Sequence, residues 1–161
     1  MRPILYAENE VEFTSNGLGR MSDAVSCVVT EERNRTYELL MKYPAEGIHY
    51  SDLKEGRFLY AVPFDGGRKQ IFRIYKISEP LNGLVTVKAE HISYRLSDIP
   101  VEPFTATTVT GALNGFTTHA VETCPFTFWT DKTTEASFKV ESPASIRSLL
   151  GGVEGSILDA Y

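Results

Sequence analysis

The chain has no run of lysine or arginine, only three histidines, two cysteines and one tryptophan in 161 residues, and no stretch near the roughly 20 consecutive apolar residues of a membrane span. Each shortage excludes something. Without clustered cations, and with a formal net charge of -5, the chain lacks the electrostatic footprint of a nucleic-acid binder. Arg20, Arg33 and Arg35 are scattered among Glu31 and Glu32 and read as a solvated surface. The opening Met1-Arg2-Pro3-Ile4-Leu5-Tyr6-Ala7-Glu8 has no long apolar region of the signal-peptide kind, so the expected setting is a cytosol, or departure from it by a route other than secretion. Cys27 and Cys124 have no CxxC or Cys/His spacing around them. Cys27, inside Val25-Ser26-Cys27-Val28-Val29, reads as a small core side chain.

Reactive constellations are equally scarce. None of His49, His91 and His119 has a second histidine or a carboxylate at the helical i+4 or zinc-site spacing, so no metal site is expected. A nucleophile elbow would show GxSxG, whereas Gly155-Ser156 lacks the second glycine, and Asn16-Gly17-Leu18-Gly19-Arg20 is a glycine-rich turn with no helix behind it to cradle phosphate. The carboxylates are numerous, but Glu8 with Glu10 and Glu31 with Glu32 fall in loops or at strand ends, and spacing alone does not pick out a glycosidase-type pair. Phe126, Phe128 and Trp129 could stack on a sugar, as in a carbohydrate-binding module, or belong to a core or an interface between subunits. No catalytic residue, metal ligand or cofactor site is therefore assigned.

What is present is alternation. Tyr37, Leu39, Met41 and Tyr43 share one side of a period-two ribbon and Glu38 and Lys42 the other, with Leu40 breaking the pattern. Phe58, Tyr60 and Val62 share a face, as do Ile71, Arg73, Tyr75 and Ile77 opposite Phe72 and Ile74, and Val85, Val87 and Ala89 opposite Thr86, Lys88 and Glu90. Asp65-Gly66-Gly67 and Asn82-Gly83 supply hairpin turns, and Arg33-Asn34 sits where another reversal is needed. The reading is a meander of five strands over about 24–32, 35–43, 57–62, 69–77 and 84–92. At 42% hydrophobic residues the chain can bury a true core, and five one-sided strands must curl to hide their edges.

Pro100 and Pro103 mark a change of texture and a candidate boundary. Beyond them Val109, Ala112, Leu113 and Phe116 recur at i, i+3, i+4 and i+7, which predicts a helix over about 107–118 with capping hydroxyls in Thr105 to Thr108. Residues 125–130 alternate as a strand would, Asp131-Lys132 reads as a turn, and Ser137 to Val140 as a second strand. Ser142-Pro143 reads as the start of a helix bearing Ile146, Leu149 and Leu150, stopped by Gly151-Gly152. Ser156 to Tyr161 resembles the cap and first turn of a further helix. The expected organisation is therefore mainly β with an α+β C-terminal part: an antiparallel meander curled toward a barrel over 1–103, followed over 104–161 by the start of a small α+β domain, left incomplete by truncation.

The phrases Pro3-Ile4-Leu5-Tyr6, Phe13-Thr14-Ser15-Asn16-Gly17-Leu18-Gly19, Ser22-Asp23-Ala24, Val28 to Asn34, Tyr37-Glu38-Leu39, Tyr43-Pro44, His49 to Gly56, Phe72-Arg73-Ile74-Tyr75 and Ser145 to Gly152 give the chain a resemblance along nearly its whole length. It resembles the N-terminal region of phage minor structural tail proteins, the prophage tail endopeptidase or tail-associated lysin family of Gram-positive hosts. The resemblance implies a baseplate hub at the distal end of the tail tube. Such a hub would be a homotrimer of β-barrel domains, in contact with distal tail and tail-tube proteins and located at the virion tail tip after synthesis in the host cytoplasm. A wall-hydrolysing, wall-binding or fibre-like part commonly follows such hubs. The matching phrases contain no peptidase signature, so the resemblance transfers no catalytic residue, and a peptidoglycan-degrading domain is the competing expectation. A ring of subunits needs sheets with two usable faces, and Leu40, Phe72 and Ile74 are the residues expected to supply the second.

Overall fold

A computed structural model describes residues 2–32 and 35–161, and the expected reversal at Arg33-Asn34 lies outside the described residues. The chain forms two compact units, 1–92 and 93–161. The first is a seven-stranded antiparallel sheet curled into a half-barrel. Its strands are β1 (Ile4–Tyr6), β2 (Gly19–Arg20), β3 (Ser26–Glu31), β4 (Tyr37–Pro44), β5 (Phe58–Ala61), β6 (Gln70–Ile77) and β7 (Leu84–His91), in the spatial order β2-β1-β5-β6-β7-β4-β3. The five strands expected from alternation are all present as β3 to β7.

Their connection is not a simple meander. β4 pairs with β7 along seven residues, Glu38↔Glu90 to Pro44↔Leu84, and the chain crosses from β4 to β5 by the long connection 45–57. Strands β4 to β7 thus form a Greek key, with the first strand of the four beside the last. Hairpin pairing holds for β3–β4, β5–β6 and β6–β7. Between β6 and β7, Asn82 (φ 52) and Gly83 (φ 74) make the two-residue turn with both φ angles positive, closed by reciprocal Leu81 and Leu84 backbone hydrogen bonds.

The sheet buries different residues on its two faces. Leu5, Leu59, Ala61, Phe72, Ile74, Val85, Val87, Ala89, Leu39, Met41 and Tyr43 fill the concave core. On the other face of β1 and β5, Ile4, Tyr6 and Phe58 form a smaller cluster. Phe13, from the 7–18 loop, covers it with its ring centroid 5.0 Å from Tyr6, 5.8 Å from Phe58 and 5.6 Å from Tyr60.

Three expectations about faces change. Phe72 and Ile74 are fully buried in the unit's own core, so neither belongs to a second, outward face. A bulge between Ile74 and Lys76 shifts the register, and Ile77, read as sharing a face with Ile71, packs against the same core as Phe72. Leu40 does point outward, where it lies opposite Val28, and both are more than two-fifths exposed.

The second unit holds β8 (Pro100–Val101), β9 (Phe104–Thr108), α1 (Val109–Thr118), β10 (Glu135–Val140), β11 (Ala144–Ser145), α2 (Ile146–Leu150) and α3 (Ile157–Ala160). Leu96, Ile99 and Val101 belong to its core, and the boundary falls after Ile92. The helix spacing is realised: Val109, Ala112, Leu113 and Phe116 are buried against β9 and β10, and the Thr108 hydroxyl accepts a 3.1 Å hydrogen bond from Gly111 N. The cap of α2 is Ser145, not Ser142. Ala144 and Ser145 pair with Val101 and Pro100, which keeps the chain extended past Pro143, and Ser145 Oγ then accepts from Ser148 N at 3.3 Å.

Residues 125–130 form no strand. β10 takes β9, from before the helix, as its partner, and Phe126 and Phe128 use their alternation to pack on the core instead.

Gly111 and Gly115 in α1 give a direct check of this packing. A Cβ on Gly111 meets nothing closer than Thr108 Oγ1 at 3.1 Å, whereas one on Gly115 would lie 2.1 Å from the Phe104 ring. That ring is held among Phe116, Phe138 and His119. Gly→Ala in a helix ordinarily gains up to about 1 kcal/mol. Gly111→Ala sets that gain against displacing the capping Thr108 hydroxyl by a few tenths of an ångström and should change stability by less than about 1 kcal/mol, while Gly115→Ala should lose about 1–3 kcal/mol through overpacking, read by urea unfolding.

Candidate functional site

Four places in the molecule gather chemistry. The first is a polar knot along the 45–57 connection. Asp23 Oδ2 accepts from Ile48 N at 2.9 Å and from the Tyr43 hydroxyl at 3.3 Å; the Tyr43 oxygen in turn accepts from His49 N at 3.2 Å. His49 Nδ1 lies 3.2 Å from Asp52 Oδ2, and Arg57 reaches both the Asp52 carbonyl and, at 3.5 Å, its carboxylate. The hydrogen bond from His49, and then the Arg57 charge, hold the Asp52 carboxyl below its ordinary range. Burial raises the Tyr43 phenol.

A Tyr-His-Asp string has the makings of acid/base chemistry, but the ring's other nitrogen is set against Gly19. His49 Nε2 packs on the backbone of Gly19, so closely that a Cβ there would lie 2.2 Å away. The knot ties the crossover to the sheet. Its His49–Asp52 link escapes a search at i+4 because the pair sits at i, i+3 on a 3-10 turn, Tyr50–Asp52, where such side chains eclipse.

The second place is His91. Its ring stacks on Tyr37 at 4.3 Å, meets Phe72 edge-on, and sets Nε2 3.1 Å from Gln70 Oε1. Burial pulls the imidazole down to about 4, so it is neutral at pH 7. His119 instead stacks flat on Phe104 at 4.9 Å in the second unit. Among the described residues no group of three His, Cys, Asp or Glu side chains is placed to hold a metal ion.

The aromatic triplet divides. Phe126 and Phe128 turn to the core, Phe128 edge-on to Phe116 at 5.7 Å, and only Trp129 is exposed, at 84%. One indole is not the row of rings that a sugar platform needs. Glu8, Glu31 and Glu32 are exposed at loops and strand ends.

The fourth place is a cleft of about 500 Å³ in the first unit, lined at one side by Cys27, Val28 and Val29 of β3 and at the other by Ile4, Tyr60 and the segment 61–65. It lies between the outermost strands of the half-barrel, β3 on one side and β1 with β2 on the other. Arg2, Arg20 and Lys69 border it, and Asp65 is its one acidic lining residue. None of these three cations forms an ion pair among the described residues; Arg2 donates to the Ala24 carbonyl, and Lys69 sits 5.2 Å over the Tyr60 ring. Arg20, read as part of a solvated surface, is exposed and also lines this cleft. The sequence carries no local signal for this, because the three cations come from positions 2, 20 and 69. Burial pushes the Cys27 thiol up to about 11, so it is not a nucleophile at neutral pH.

No protein-family model, curated protein or solved structure matches the chain. No helix among the described residues is long and apolar enough to cross a membrane.

The His91 arrangement fixes a pH dependence. The imidazole titrates near 6.5 when unfolded and near 4 when folded, so the unfolded state takes up the proton first. Stability is then complete above pH 6.5 and falls as the pH drops from there toward 4. With the ring only half-buried, the loss should be on the order of 1–2 kcal/mol. In His91→Gln the slope of unfolding free energy against pH over that window should flatten; an unchanged slope would assign it to other groups.

Proposed function

We propose that this chain is a structural component of a phage or prophage tail tip, a hub domain that joins the tail tube to distal wall-binding or lytic parts. The observation that carries the reading is the half-barrel itself, a stiff seven-stranded sheet whose two outermost strands are left unpaired on their outer sides, as a subunit meant to continue into a neighbour requires. The distributed sequence phrases that resemble tail-hub proteins support it. So does the use of the titratable groups: Asp23, Tyr43, His49, Asp52 and Arg57 hold one another and the crossover, and His49 Nε2 is set against Gly19. On this reading the protein works as a homotrimer, contacts distal tail and tail-tube proteins, and performs no reaction in these residues.

Two measurements test it. Antibodies raised against the chain should label the distal tip of long-tailed particles released by the bacterium that encodes it, and light scattering on the full-length product should give the mass of three copies; unlabelled particles and a full-length monomer at every concentration would sink the hub. Incubated with purified Gram-positive cell wall, the chain should release no soluble fragments. Release that disappears in His49→Ala or Asp52→Ala would replace the structural reading with a hydrolase.

A further inference from the structure

The cleft between the outer strands has a chemical counterpart on the same unit. Residues 7–13 read Ala-Glu-Asn-Glu-Val-Glu-Phe, and Glu8, Val11 and Glu12 are exposed, Val11 at 86%. Glu10 N donates to the Ala7 carbonyl at 3.3 Å, closing a turn over Glu8 and Asn9, and Val11 and Glu12 donate their backbone N–H groups to Glu10 Oε1, both at 3.2 Å, so exposed Val11 stands between the exposed carboxylates of Glu8 and Glu12. Glu8 and Glu12 form no ion pair among the described residues.

The cleft inverts this pattern, with an apolar lining that includes Val28, Val62 and Pro63 and a border of Arg2, Arg20 and Lys69. The two features also stand at opposite ends of one strand. Arg2 precedes β1, Ile4 begins it and the acidic segment follows its end at Tyr6, while β5 runs antiparallel alongside, with Tyr60 at the cleft and Phe58 opposite Tyr6. None of residues 7–13 lines the cleft of its own copy, because Phe13 anchors the segment on Tyr6, Phe58 and Tyr60.

We infer that the cleft is a self-association site, in which the cationic border and apolar lining receive the Glu8–Glu12 turn of a second copy of this chain. The contact is heterologous, since each copy offers a different patch to each neighbour, and such contacts build rings when the rotation closes. The hub reading is needed only for the number of copies in the ring; the contact itself rests on the charges and shapes above.

Charge exchange tests it in the 161-residue chain. One variant carries Arg20→Glu and Lys69→Glu, leaving Arg2 and its bond to Ala24; the other carries Glu8→Lys and Glu12→Lys, leaving Glu10 and its turn. Circular dichroism and thermal melting confirm that each is folded. By sedimentation the unaltered chain should associate at low salt and dissociate as the screening length shrinks from about 10 Å at 0.1 M to about 3 Å at 1 M. Each variant alone should associate about tenfold or more weakly, and an equimolar mixture should recover association, because the acidic cleft of one now accepts the basic turn of the other. A monomeric unaltered chain, association untouched by either variant, or a mixture no stronger than its parts would each overturn the proposal. Tip-labelled particles together with charge-insensitive association would remove this contact and leave the hub; recovery by mixing without tip labelling would do the reverse.

Discussion

The shape of the first unit depends on five residues. Met21 to Val25 run from the end of β2 to the start of β3, and those two strands are the opposite edges of the sheet. Laid flat at about 4.8 Å per strand, seven strands would separate the edges by roughly 29 Å. The chain from Arg20 to Ser26 reaches at most about 20–22 Å even when fully extended. It is not fully extended, since Ser22 N bonds to Arg20 O and Ala24 N to Met21 O. The sheet must curl to bring its edges within reach, and Met21 and Ala24 are then carried into the concave core, where both are buried. Connectivity, more than twist alone, makes this a half-barrel.

Curling places different demands on the two faces. The concave side can be filled by one alternating set of side chains, and Leu59, Phe72, Ile74, Val85, Val87 and Met41 fill it. The convex side of β1 and β5 is also apolar, so it needs a cover, and the 7–18 loop supplies Phe13 together with backbone hydrogen bonds such as Leu18 N to Leu5 O at 2.7 Å. The polar knot meets a third demand. A Greek-key crossover must be fixed to the sheet it spans, and Asp23, Tyr43, His49, Asp52 and Arg57 do so with hydrogen bonds that leave the connection's polar groups partnered.

Strands β4, β6 and β7 were legible because each alternates over several residues, and β3 and β5 because short apolar runs sit between turn-forming residues such as Asp65-Gly66-Gly67. Helix α1 was legible from Val109, Ala112, Leu113 and Phe116. β1 and β2 were not, since strands of three and two residues carry no period. The Greek key was hidden for a different reason: alternation tells which side chains share a face but not which strand lies beside which, and β4 could pair with β5 or β7 with equal local sense. The face of Ile77 was misread because a bulge adds a residue that no local rule announces. Residues 125–130 misled in the opposite direction, as an alternating segment needs a partner before it becomes a strand. Of the candidate sites, single residues such as Cys27 were read correctly as packing elements, whereas the knot and the cleft exist only once distant segments meet.

The two outermost strands also bear on how the molecule avoids sticking to itself indiscriminately. β3 has no proline, no lysine and no bulge, the usual guards of an open edge, and Val25 just before it and Val28 within it are exposed at 61% and 57%. Such an edge would pair with almost any extended chain. Here the guard comes from across the gap: Arg2, Arg20 and Lys69 impose a positive border on the approach to Cys27, Val28 and Val29. A second β3 arriving apolar side first would leave those cations desolvated without partners, a cost that a segment bearing carboxylates does not meet. The same charges that discourage random edge pairing therefore select for an acidic partner, so protection of the edge and recognition at the edge follow from one arrangement of side chains.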